Sequence, residues 1–77
     1  MRDWSGDATK AFEGKVVKNI RYTTEAELSE LRWDFRTPIV FFTDGSYLMP
    51  SADDEGNSGG VFFTSDDSID TIPRGGK

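Results

Sequence analysis

The residues best placed to do chemistry lie together in "PSADDEGNSGG", positions 50 to 60, where Asp53, Asp54 and Glu55 precede Asn57 and three glycines. A calcium loop needs oxygen ligands at alternating positions, glycine at the sixth and a bidentate acid at the twelfth. Counting from Ser51 puts Asp53, Glu55 and Gly56 at the third, fifth and sixth positions, but Phe62 stands at the twelfth. The EF-hand pattern fails there. A looser hard-cation site through Asp53, Glu55 and the Asn57 side-chain oxygen is the alternative. Acid and base catalysis needs two carboxylates held apart in different environments. Three adjacent acids on a glycine-rich loop lack that separation, which leaves only distant pairing with Glu30 or Asp34. An anion nest of backbone N–H groups around Asn57 to Gly60 is opposed by the neighbouring acids. A capped turn is the simplest account, because Asp and Asn side chains bond nearby amides and Gly56, Gly59 and Gly60 permit sharp reversals.

Composition narrows the chemistry further. The 77 residues contain no Cys and no His, which removes the thiolate nucleophile, disulfides, the imidazole base and the commonest metal ligands. The chain is therefore expected to be a non-enzymatic protein with no cofactor. Its length fits one small domain, 1–77, near the size where a core only just suffices. Ten aromatic rings, 13 % of the residues, supply much of the apolar area. A domain this small has difficulty burying all of them. Trp33, Phe35 and Tyr47 are the candidates for exposed aromatic anchors, beside a rim of Asp53, Asp54, Glu55 and Asn57.

Charge is divided along the chain. Residues 1–24 hold five bases and three acids, whereas residues 51–70 hold six acids and no base. The acidic half repels phosphate, so nucleic acid is disfavoured and a basic protein partner is favoured. No stretch is long and apolar enough to span a bilayer, and the polar start carries no apolar run. The expectations are a cytoplasmic location, no membrane contact and a protein partner, with a homodimer as the alternative.

The elements that must position these groups follow from local patterns. Residues 1–14 contain "DATKAFEG", which predicts a short helix with Asp7 as cap and Gly14 as stop. "KVVKNIRYT" predicts a strand with Val16, Ile20 and Tyr22 on one face. Thr24 and Glu27 have capping-box spacing, and Leu28 and Leu31 share one helical face. Pro38 ends that helix, Ile39 to Phe42 forms a strand, and Asp44-Gly45 suits a two-residue hairpin into Ser46 to Met49. "GVFFT" predicts a last strand. Residues 66–77 mix acids, Pro and Gly, the composition of a flexible tail. The expected fold is a small α+β domain, β-α-β-β-β, with one short helix packed on an antiparallel sheet of about four strands.

Residues 31–63, "LRWDFRTPIVFFTDGSYLMPSADDEGNSGGVFF", resemble a family of short uncharacterised proteins of bacteria, cyanobacteria among them, and of phages. The pattern is a Trp followed by Arg and Pro, then Asp-Gly, Pro-Ser and Asp-x-Glu-Gly-Asn, matched here by Trp33, Arg36, Pro38, Asp44, Gly45, Pro50, Ser51, Asp53 or Asp54, Glu55, Gly56 and Asn57. Two departures stand out: Thr37 is inserted between the Arg and the Pro, and Ser58-Gly59 replaces Gly-Pro. The resemblance implies a genuine domain and a bacterial or phage setting, where the partner would be a cellular or host protein. It brings no activity.

Overall fold

A computed structural model describes residues 3–53 and 55–76. Helix α1, Trp4–Phe12, is capped by Asp3, whose Oδ1 accepts from the Gly6 amide at 3.0 Å. Asp7, expected as the cap, lies inside the first turn instead. The reason is local: residue 6 is glycine, and a Cβ there would lie 2.3 Å from the Asp3 carboxylate, so only Gly6 lets Asp3 cap in this way. Gly14, at φ +76°, follows the helix end and turns the chain into β1, Val17–Tyr22.

Helix α2, Glu25–Leu31, begins with the capping box that the sequence predicts. Thr24 Oγ1 accepts from the Glu27 amide at 3.2 Å, and Glu27 Oε1 accepts from the Thr24 amide at 2.7 Å. Arg32 ends the helix in the left-handed region, φ 58° and ψ 37°, and the Trp33 amide returns to the Leu28 carbonyl at 3.1 Å. Of the Leu pair, Leu28 is buried while Leu31 remains exposed.

Strand β2, Pro38–Phe42, is central, pairing antiparallel with β1 on one side and with β3, Tyr47–Leu48, on the other. The Phe42 amide bonds the Ser46 carbonyl at 2.9 Å, so the loop between this bonded pair has three residues, Thr43, Asp44 and Gly45, not two. The Gly45 amide bonds the Phe42 carbonyl, and Gly45 then takes φ +91°, the left-handed position of a turn followed by a bulge. Asp44 locks this turn by accepting from both the amide and the hydroxyl of Ser46, and Lys15 reaches across to ion-pair with it.

The fold is the small α+β domain expected, but its strands do not form one four-stranded sheet. Strand β4, Phe62–Asp66, pairs with β5, Ile69–Ile72, as a separate antiparallel hairpin. The residues read as a flexible tail thus include a strand. The chain after it also returns to the body. Tyr22 Oη donates to the Pro73 carbonyl at 2.6 Å, the Gly75 amide bonds the Arg36 carbonyl at 2.6 Å, and the Arg74 guanidinium lies 3.7 Å from the Phe35 ring centroid.

Paired residues of a sheet share a face. The registers place Arg21, Ile39, Phe41 and Tyr47 on the face toward α2, and Ile20, Val40 and Leu48 on the opposite face. A bulge between Val17 and Asn19 brings Val17 opposite Phe42, onto that second face. Phe12 of α1 covers only one end of it, with the Phe12 and Phe42 ring centroids 5.7 Å apart. The buried apolar side chains among the described residues are Leu28, Trp33, Pro38, Ile39 and Phe42. Pro38 shares the tightest burial with two polar residues, Thr23 at 1 % exposure and Thr37 at 0 %.

Candidate functional site

The 50–60 loop is built around Thr37. Its hydroxyl lies 3.1 Å from both the Pro50 and Gly60 carbonyls and accepts from the Gly60 amide at 3.3 Å. Its amide donates to Thr23 Oγ1 at 3.1 Å, and its carbonyl accepts from the Thr23 amide at 3.0 Å. One side chain therefore holds both ends of the loop and joins them to the end of β1. The loop neck is closed further by the Ser51–Gly59 bridge, by Ser51 Oγ donating to the Ser58 carbonyl, and by the Ala52 amide bonding the same carbonyl. Gly59 is required by this closure: a Cβ there would meet the Phe35 carbonyl at 2.7 Å and the Thr37 Cβ at 2.9 Å.

At the tip, Asp53 works on its own loop. Oδ1 accepts from the amides of Glu55 at 3.0 Å and Asn57 at 3.2 Å, and Oδ2 accepts from Asn57 Nδ2 at 2.9 Å. Asn57 Nδ2 also lies 3.3 Å from Glu55 Oε2, so its amide donors, not its oxygen, face the two carboxylates. These bonds, the Asn57 amide group first, hold the Asp53 carboxyl below the usual carboxylate range. The arrangement is that of a capped turn. Among the described residues no group of three or more acids, His or Cys is placed to hold a metal ion. Asp54 lies outside the described residues.

The three aromatic candidates separate. Trp33 is buried, and its Nε1 donates to the Gly56 carbonyl, so it anchors the acidic loop from beneath and offers no free face to a partner. It is buried because the left-handed turn at Arg32 aims the chain back under α2, a consequence invisible in aromatic content alone. Phe35 is half-buried under Arg74. Tyr47 is the exposed one, at 57 %, beside Phe41 at a ring-centroid distance of 6.2 Å.

Tyr47 lines a groove of about 270 Å³ between α2 and the sheet. Ile39, Phe41 and Met49 form its floor and far wall, and Leu31 and Glu30 its near wall. Met49 leads directly into the acidic loop at Pro50. Arg21 also lines the groove. Its guanidinium holds Glu27 through two bonds, 2.9 and 3.1 Å, and lies 5.0 Å from the Phe41 ring centroid. That guanidinium, aided by the Thr24 amide, pulls the Glu27 carboxyl down to about 2.

Of the residues that the sequence singles out, Tyr47 lines this groove, whereas Leu31, Phe41 and Met49, which also line it, were not among them. The three-apart spacing of Leu28 and Leu31 carried a partial signal, since only one of the pair is buried. Among the described residues no helix is long and apolar enough to cross a membrane. Comparison of the chain with models of protein families, with curated proteins and with solved structures finds no match.

Proposed function

We propose that the protein is a small non-enzymatic interaction module that holds a basic, apolar segment of a partner protein in the groove between α2 and the sheet. Tyr47 is the aromatic anchor, Leu31, Phe41 and Met49 receive the partner's apolar side chain, and Glu30 supplies the charge that a basic residue would meet. The observation that supports this reading is the coincidence of an exposed aromatic with a groove lined by Leu31, Ile39, Phe41 and Met49 and by the Glu30 carboxylate. An apolar floor with a polar, charged rim is the anatomy of a protein-recognition site, and complementary charge speeds encounter and fixes register. Buried aromatic anchors dominate such interfaces.

A displayed library of random peptides, selected on the immobilised protein, tests it. Enriched peptides should carry Lys or Arg beside Leu, Phe or Trp, and their binding should weaken as salt rises from low to ~0.5 M, where charge is screened within a few ångströms. Tyr47→Ser should weaken binding about tenfold, the effect of a moderate hot-spot residue. Selection of uncharged peptides, or binding indifferent to Tyr47→Ser, would reject the groove as the site.

A further inference from the structure

The sheet face that carries the groove does not end there. Toward the β2–β3 turn it opens into a second recess of about 260 Å³, lined by Lys18, Asn19, Arg21, Phe41, Phe42 and Gly45. Arg21 and Phe41 line both depressions, so the two meet at one guanidinium and one ring. The register accounts for this. Asn19 pairs with Phe41 and Phe41 with Tyr47, which makes one row across the sheet, and Arg21 pairs with Ile39 in the next row. Rows on one face lie about 6.7 Å apart, twice the rise per residue.

Lys18 reaches this recess because β1 is bulged. In a regular strand Lys18 and Asn19 would point to opposite faces. The register shift between Val17 and Asn19 leaves Lys18 as the extra residue, and both side chains line the same recess. The bulge thereby concentrates positive charge beside the groove. Lys15 is committed to Asp44 and Ser46, and Arg21 gives two of its nitrogens to Glu27. The Lys18 amine is exposed and has neither an ion pair nor a hydrogen bond among the described residues. Asp44, next to Gly45, does not cancel that charge, because Lys15 and Ser46 already hold its carboxylate. The recess also draws on residues 1–24, where five bases stand against three acids.

We infer that the Lys18 recess takes an acidic side chain of the same partner segment whose basic and apolar residues enter the groove, so that the ligand is an extended peptide ordered base, apolar residue, acid. The inference deepens the groove reading and rests on it. Glu30 lines only the groove and Lys18 only the recess. A ligand of one charge sign is repelled at one of them, whereas a ligand with both signs in that order meets its opposite at each. An acidic side chain fits better than a chain-terminal carboxylate, which is captured by free backbone amides. Here the Gly45 amide bonds the Phe42 carbonyl and the Ser46 amide bonds Asp44, so side chains alone receive the anion. One row separates Ile39 in the groove from Asn19 in the recess, a distance that an extended peptide covers in about two residues.

The probe is the capped peptide Lys-Thr-Leu-Thr-Glu-Thr, which places its base, apolar residue and acid on one face, and its counterpart with Gln in place of Glu. Both are titrated into the full chain to ~5 mM and followed by NMR, a range that captures millimolar affinities. The Glu peptide should bind about threefold more tightly than the Gln peptide, the effect of an exposed ion pair. It alone should move the side-chain signals of Lys18 and Asn19. In Lys18→Gln, which alters one exposed side chain, the preference should vanish, and in Lys18→Glu it should reverse. Equal binding of the two peptides to the native chain, or a preference that persists in Lys18→Gln, would overturn the inference. Equal binding that Tyr47→Ser still weakens would leave the groove reading standing alone, whereas failure of both peptides to bind would overturn the two together.

Discussion

The junction around Thr37 and the open face around Ile20 invert the usual arrangement of a protein. At the junction, two threonines are more completely buried than any aromatic ring, and every polar atom of Thr37 has a partner. On the open face, β-branched and branched aliphatics remain half in solvent. The contrast teaches that this chain fixes its shape with a polar knot more than with an apolar core. Buried polar groups stabilise only when fully satisfied, and then they specify one geometry because no other pairing meets all the bonds. Apolar burial is less selective and can be completed by a second molecule.

The strongest way to break the comparison is Thr37→Val, which keeps the side-chain volume but removes the hydroxyl. The Gly60 amide would lose its side-chain contact and the Pro50 and Gly60 carbonyls would lose a shared donor, so a loss of about 3 kcal/mol is expected. A chain of this length has roughly 4–12 kcal/mol in total. Urea denaturation should therefore show a midpoint lowered by roughly a quarter or more. A change below about 0.5 kcal/mol, the size seen for surface substitutions, would mean that the knot is incidental.

Gly59→Ala tests the same junction through space instead of bonding. The added methyl would meet a backbone carbonyl at 2.7 Å, and backbone cannot swing aside as a side-chain end can. Overpacking of this kind is expected to destabilise by about 2 kcal/mol. Because the clash falls on Phe35 and Thr37, the double variant with Thr37→Val should lose less than the two effects added together, since neighbours sharing one contact are not independent. Simple additivity would separate the glycine from the knot.

How much of this was legible in the sequence depends on the range of the interaction. The α2 capping box is local, fixed by Thr24 and Glu27 three residues apart, and it forms as read. The turn at Asp44-Gly45 was also local, but its length was not, because the choice between two and three residues is made by the register of β2 against β3. Long-range facts escaped. Nothing near Thr37 in the sequence announces that residues 23, 50 and 60 will converge on it. Likewise Ile69 and Ile72 look too sparse for a strand until Phe62 pairs with Ile72. Trp33 was read as an anchor on the surface because aromatic content says how many rings are difficult to bury, not which. Tyr47 was legible as an exposed ring, while Ile39 and Phe41 beside it in the groove follow from the sheet register.

A smaller effect should appear in acid. Glu27 is held near 2 by Arg21 and the capping amide, and Asp44 and Asp53 are also lowered by their bonds to Lys15 and Asn57. A carboxyl whose folded value lies below its unfolded value of about 4 contributes its full stability above that pH, and loses it as pH falls toward the folded value. Stability should thus be flat above about pH 5 and decline between about pH 4 and 2. These groups are exposed, so solvent screening keeps the decline shallow. Glu27→Gln should flatten part of the slope measured by denaturant midpoint against pH. An unchanged slope would show that the Arg21–Glu27 pair adds nothing beyond the helix cap.

The smallest expected effect is the most discriminating for the apolar side of the comparison. Phe63, on the outer face of the β4–β5 hairpin, is 85 % exposed, the most exposed large apolar side chain among the described residues. Its partner in the hairpin register is Thr71, so no opposing ring or aliphatic covers it. If folding within one chain rests on the polar knot, Phe63→Ser should change the unfolding free energy by no more than about 0.5 kcal/mol, because almost no area leaves water at that position when the monomer folds. A loss well above 1 kcal/mol would show that the apolar side of the hairpin, and not the Thr37 knot alone, holds the chain in shape.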